Sequence, residues 1–381
     1  MRLVAESGLW STGPMRAAPP LVAVLEVSGA VLSWVIDAPP GDPAAHITFT
    51  DVARADWLWR VVGESGHVAL LSAVQGADAD EHRVDLAGVQ VAAEPGDALR
   101  RLAVGHWLRR WWPASRRDGI PALDRALLDA EVAVLTAGAQ AYFCDDTFDS
   151  DVAELLSPHG SALIAHVRDG DPRALELVRA AAALAEDVGV DGTGWPELFV
   201  ALGESTTPLE QPTARRDDYA LAAGADGGPR GAAEIARGVA SIAWTAVPPA
   251  IFDAGEDTVE WTVEVAGAAV LAGIRVAIIG PARPAGIAVH LRSGTFSGDA
   301  TLDADGGAVV PLVDDQRRAL TESAAWAHDW SATSVTVGAP LSGAPESPEA
   351  RERVRRWARA RLDRPADDAF LAEIVAAEAT Y

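Results

Sequence analysis

The spacing of apolar residues changes period more than once along this chain. Up to about residue 95 it runs in short blocks or alternates. Leu21–Ile36 reads as two strands around a turn at Ser28-Gly29, and the Pro39–Pro43 cluster closes them off. His46–Thr50 and Val68–Val74 read as further strands, and Asp80–Ala93, with Val84, Leu86, Val89 and Val91 alternating, as a last strand or hairpin. Asp51–Val62 reads as a short helix between them.

From Asp97 the period lengthens. Ala103, Trp107 and Trp111 step by four, and Val104, Leu108 and Trp112 form the adjoining row, so one helix up to Pro113 carries an apolar arc. Leu128, Val132, Leu135, Ala139 and Tyr142 form a seam on a second helix. Ser150–Val167 and Asp171–Gly189 read as two more, the last opened by an Asp-Pro cap. Residues 204–231, dense in Pro, Thr and Gly, read as a linker. Alternation returns in Thr258–Val265, with strands at Gly273–Ile279 and Gly286–Leu291, a hairpin over Asp299–Leu312, a helix over Asp314–Ala327 and a strand at Ser334–Val337. Ser347-Pro348 opens a final helix to Leu362, with Glu349–Arg353 and Glu352–Arg356 at pairing distance.

These elements predict a multidomain α+β protein. A small α+β unit covers 1–95. A helical bundle with a Trp/Arg-rich first helix covers 96–204, and a linker or long loop covers 205–231. A β-sandwich-like domain covers 232–345, and C-terminal helices cover 346–381.

Composition narrows the chemistry. The chain has 381 residues and a net charge of −24, which disfavours phosphate backbones and anionic lipid as partners. It contains no Lys and no Asn, which removes Schiff-base and Walker-type lysines. Its single Cys144 excludes an internal disulfide and fits a reducing, cytoplasmic setting. The most apolar stretch, Val265–Ile279, is shorter than a membrane span needs, about 20 residues. No HExxH, CxxC or GxSxG pattern occurs.

Two stretches remain as candidates. Asp97–Asp118 holds three of the 13 Trp. Arg100, Arg101, Trp107, Arg109, Arg110, Trp111 and Trp112 are its candidate interaction residues, for a protein partner or, locally, for nucleic acid. The segregation of Trp and Arg onto different faces points instead to an amphipathic helix with a buried Trp side, and Asp97 is placed to pair with Arg101. The second candidate is Asp145-Asp146-Thr147-Phe148-Asp149. It resembles, over five residues, the DDxxD motif with which class I isoprenoid synthases hold Mg²⁺ and a diphosphate. The resemblance implies Asp145, Asp146 and Asp149 as metal ligands, but the second metal motif of that family is absent. The leading expectation is a non-catalytic interaction or scaffold protein without a cofactor. The alternatives are a metal-assisted hydrolase or diphosphate-handling enzyme, and local nucleic-acid binding.

Overall fold

The computed structural model describes residues 1–6, 8–13, 17–38, 45–76, 83–89, 93–140, 142–143, 148–204, 233–267, 269–340, 343 and 345–379. It is a mixed α+β protein of two compact units. The first comprises Met1–Trp112, Ile120–Glu204 and Glu346–Tyr381; the second comprises Pro113–Gly119 and Ser205–Pro345. The stretches 1–95, 96–204 and 346–381 therefore fall within one unit, apart from Pro113–Gly119.

The first unit opens with an antiparallel sheet of β1 (Arg2–Glu6), β2 (Leu9–Ser11), β3 (Val22–Val27), β4 (Ala30–Val35), β5 (His46–Phe49) and β6 (Arg83–Asp85), in the order β3-β4-β5-β2-β1-β6. The β3–β4 turn falls at Ser28-Gly29, where Gly29 has φ 76° and a Cβ would lie 2.2 Å from the Asp51 carbonyl oxygen. Only glycine fits that backbone and that approach. Asp51–Val62 resolves into two 3₁₀ turns and the short α1 (Trp59–Val62). The expected strand at Val68–Val74 is helical instead, within α2 (Glu64–Gly76). Gly66 and Leu70, four apart, are its buried positions, a helical spacing that a short apolar run hides. Of the expected strand over Asp80–Ala93, the described residues form the three of β6, paired to β1; residues 80–82 and 90–92 lie outside the described residues.

The helices are α3 (Ala93–Trp111), α4 (Arg125–Ala139), α5 (Phe148–Leu156), α6 (Gly160–Asp169), α7 (Pro172–Asp187) and α8 (Trp195–Glu204). Asp124 and Asp171 cap α4 and α7, each carboxylate accepting a first-turn N–H. The single helix expected over Ser150–Val167 is broken by a 3₁₀ turn at Ser157–His159, where Pro158 cannot continue the ladder. After the second unit the chain returns to add α10 (Pro348–Asp363) and α11 (Leu371–Glu378), with Ser347 capping α10 as its sequence suggests.

The second unit holds two antiparallel sheets. One has the order β12-β9-β8-β7 and the other β11-β10-β13, from β7 (Ala233–Ala240), β8 (Val259–Ala266), β9 (Ala269–Val276), β10 (Ala288–Ser293), β11 (Phe296–Thr301), β12 (Gly307–Pro311) and β13 (Ser334–Val337). Alternate residues of both sheets enter one core, among them Trp261, Val263, Ile274, Val289, Leu291 and Val337. The expected Asp299–Leu312 hairpin does not form. Its two strands, β11 and β12, join different sheets, and the turn between them is held by the Asp303 carboxylate, which accepts from Asp305 N and Gly307 N at 2.9 and 2.8 Å. Of the helix expected over Asp314–Ala327 only α9 (Glu322–Ala327) exists. Asp314 instead closes a turn through the N–H groups of Gln316 and Arg318, with Arg317 at φ 60°. Pro113–Gly119 is fastened within this unit: Ala254 N donates to Ala114 O and Arg116 N to the buried Asp253 carboxylate.

Candidate functional site

The structure places the Arg and Trp residues of α3 in internal roles. Trp107 is buried, donates from Nε1 to Pro20 O at 2.6 Å, and packs edge-on against Trp357 of α10 with ring centroids 5.0 Å apart. Trp112 is half-buried and donates to Pro121 O. Trp111, also half-buried, lies under the Arg110 guanidinium at 4.5 Å. Arg100 pairs with Asp368, Arg101 with Glu131, and Arg109 with Asp129. Arg101 thus finds Glu131 of α4 and not the expected Asp97. Burial lowers the Arg110 guanidinium from its ordinary pKa, against the pull of Glu346.

Three polar clusters merit a chemical reading. In the first, Asp129 accepts from Arg109 Nε (2.7 Å), Arg125 Nε (2.9 Å) and His159 Nε2 (2.9 Å). Burial works to raise its carboxyl, yet the His159 hydrogen bond and the charges of Arg125 and Arg109 outweigh it and hold the carboxyl below the usual range. His106, one turn before Arg109, is pushed down to about 4 by burial, with Arg109 adding to the effect. One turn of α4 away, Asp124 accepts from His166 Nε2 at 2.9 Å while its other oxygen caps α4. That hydrogen bond raises His166 against the opposing effect of burial. His159 and His166, at a spacing unsuited to one metal, each hold a different carboxylate of α4.

The second cluster docks the C-terminal helices. Arg361 binds Glu373 through Nε and Nη2 at 2.6 and 2.7 Å and reaches Asp368 at 2.8 Å. Glu373 also accepts from Phe370 N, and Glu131 from Leu371 N, at the start of α11. Burial holds the Glu131 carboxyl above its usual value. The expected Glu349–Arg353 and Glu352–Arg356 pairs are replaced: Arg353 binds Asp37, and Glu352 binds Arg355 and Arg359. Of the six α10 arginines, Arg351, Arg355 and Arg361 are buried, whereas Arg353 and Arg356 are exposed.

In the third cluster, within the second unit, Ser293 Oγ lies 2.9 Å from His328 Nε2 and accepts from Thr333 Oγ1, with His328 between the rings of Phe296 and Trp330. Ser293 is fully buried, which closes its hydroxyl to a substrate carbonyl.

Asp145, Asp146, Cys144 and the side chain of Asp149 lie outside the described residues. Among the described residues, no group of three or more His, Cys, Asp or Glu could hold a metal ion, and no helix is long and apolar enough to cross a membrane.

The second unit also carries a sheet edge that no further described strand covers. β7 ends the order β12-β9-β8-β7; among the described residues its backbone pairs only with β8. None of its eight residues is fully buried, and Val239 is 55% exposed. The opposite edge is shorter: β12 has five residues and ends in Pro311, which lacks an N–H. Sequence reasoning missed β7, because the flanking Gly- and Pro-rich stretch and the small residues Ala236, Gly238 and Ala240 mask the alternation of Arg237 and Val239.

The chain matches no protein-family model, no curated protein and no solved structure, so these surfaces alone carry the functional argument.

Proposed function

We propose that this is a non-catalytic interaction or scaffold protein whose strand-rich unit, read as a β-sandwich-like domain, recruits a protein partner by strand addition at β7. The observation that carries the reading is the eight-residue edge strand whose outward backbone groups have no partner among the described residues. Such an edge is a template for an extended segment, to which main-chain hydrogen bonds give affinity and alternate side chains give specificity. The polar clusters support the same reading from the other side, because their charged groups are consumed in holding helices together. A cytoplasmic setting belongs to this reading, resting on the lone Cys144. The test is affinity purification from the native host of the unaltered protein and of Val239→Lys, a charge of the kind that blocks edges. A stoichiometric partner present with the first and lost with the second is expected. A partner retained equally by both, or no partner with either, contradicts the proposal.

A further inference from the structure

The chemistry of the incoming strand can be read from what borders β7, and this inference rests on the strand-addition reading above. On the outer face the register sets Glu234 beside Glu264, Arg237 beside Thr262 and Val239 beside Glu260. Like charges directly opposite one another on neighbouring strands repel. Arg237, 3.2 Å from Glu234, offsets only part of this, whereas Glu260 has Arg275 across from it on β9. With a chain of net charge −24 behind it, the Glu234 end of the edge favours a cation.

The inner face offers a hydrogen-bond donor. Gly238 lies opposite Trp261, so close that a Cβ there would sit 2.5 Å from Cζ2 and 3.0 Å from Nε1 of the indole. Trp261 is 5% exposed, and its Nε1, itself buried, has no acceptor among the described residues. Buried donors are nearly always satisfied. Because Gly238 has no side chain, a residue placed across from it on a new strand reaches that buried N–H when docking shifts the atoms that cover it. The β-bulge between Glu234 and Ala236 and the Glu234–Arg237 pair restrict the first half of the edge, while Gly238-Val239-Ala240 carries no charge and no bulge.

We propose that β7 takes an extended, cationic segment of a protein partner as an antiparallel fifth strand. The segment places Lys or Arg opposite Glu234, an aliphatic residue opposite Val239, and Ser or Thr opposite Gly238, its hydroxyl accepting from Trp261 Nε1–H.

The test is a titration of the ¹⁵N-labelled full chain with four synthetic peptides, read by NMR, with Trp261→Phe used to assign the indole resonance. The first peptide has Lys and Thr at the two defining positions. The others replace that Lys by Glu, replace that Thr by Val, or carry N-methyl groups on alternate backbone nitrogens. The first should shift the β7 amides and move the Trp261 indole N–H downfield. Lys→Glu should weaken binding at least tenfold, Thr→Val should abolish the indole shift, and the N-methylated peptide should not bind. Equal binding of the Lys and Glu peptides would overturn the cationic partner while leaving strand addition standing. Failure of every peptide to perturb β7 would overturn both. β7 resonances that shift with protein concentration alone would make a second copy of this chain the occupant and overturn the proposal.

Discussion

The two units keep their charges in different places. Of the charged residues buried among the described ones, Asp129, Glu346, Arg351, Arg355, Arg361 and Glu373 belong to the helical unit and only Asp253 to the strand-rich one. Asp253 is met by backbone N–H groups of Arg116 and Gly255, whereas Arg361 and Glu373 meet each other. The contrast follows from how each unit is assembled. A sheet's register is fixed by its alternating apolar pattern and its turns, so its core needs no charged pair to specify it. Helices α3, α4, α10 and α11 come from distant parts of the chain, and apolar stripes alone permit more than one pairing of faces. Buried ion pairs contribute little net stability but penalise a wrong pairing heavily. The Arg-rich helices are thereby committed to internal contacts, while β7 is left as an edge of the strand-rich unit that no other described strand covers.

The largest expected effects test that division. Glu373→Ala takes the two-point partner from the buried Arg361, which keeps Asp368, and should cost about 3–5 kcal/mol in the helical unit. Leu291→Ala should cost about 2–5 kcal/mol in the strand-rich unit through its cavity. Denaturant unfolding with exchange detection assigns each loss to its unit; a loss shared equally by both units in either variant breaks the comparison.

Acidity gives the next effect, through two histidines of the helical unit. His106, neutral and buried, has its folded pKa depressed to about 4, so its contribution is present above the ordinary histidine value, about 6.5, and is lost as pH falls toward 4. His166 is raised by Asp124, so its contribution is complete below about 6.5 and is lost as pH rises through the folded value. Stability of the helical unit should therefore peak near the ordinary histidine pKa. His166→Gln should flatten the alkaline side and His106→Gln the acid side, as followed by urea midpoints across pH. A monotonic profile in the unaltered protein would count against both assignments.

Much of the architecture was legible where periodicity and caps agreed. The β3–β4 turn at Gly29, the alternation in β8 and the capped helices α7 and α10 stand where the pattern puts them, and the apolar seam of α4 from Leu128 to Ala139 is helical. Val68–Val74 was not, because a short apolar run fits either period and only burial of Gly66 and Leu70 on one side decides it. The β11–β12 turn looked like a hairpin because Asp305-Gly306 suits one, yet strand partners are set by tertiary packing. The partners of the Arg residues were hidden for the same reason: Arg100 meets Asp368 and Arg353 meets Asp37, far along the chain. The edge at β7 left almost no trace, since a strand paired on one side and with no buried residue carries little apolar pattern.

Smaller effects sharpen the picture. Arg100→Ala removes a partly exposed pair with Asp368 and should cost under about 1 kcal/mol, far less than loss of Glu373. Val239→Lys, at an exposed position, should change stability by less than about 0.5 kcal/mol while abolishing partner recruitment. A large destabilisation in thermal melts would mean that β7 is structural.

The most direct measurement is amide hydrogen exchange of the free protein, resolved residue by residue across Ala233–Ala240. An open edge requires alternation, with amides bonded to β8 protected and the outward-pointing ones exchanging at the rate of exposed loops. Uniform protection along the strand would show the edge already occupied and would contradict the account.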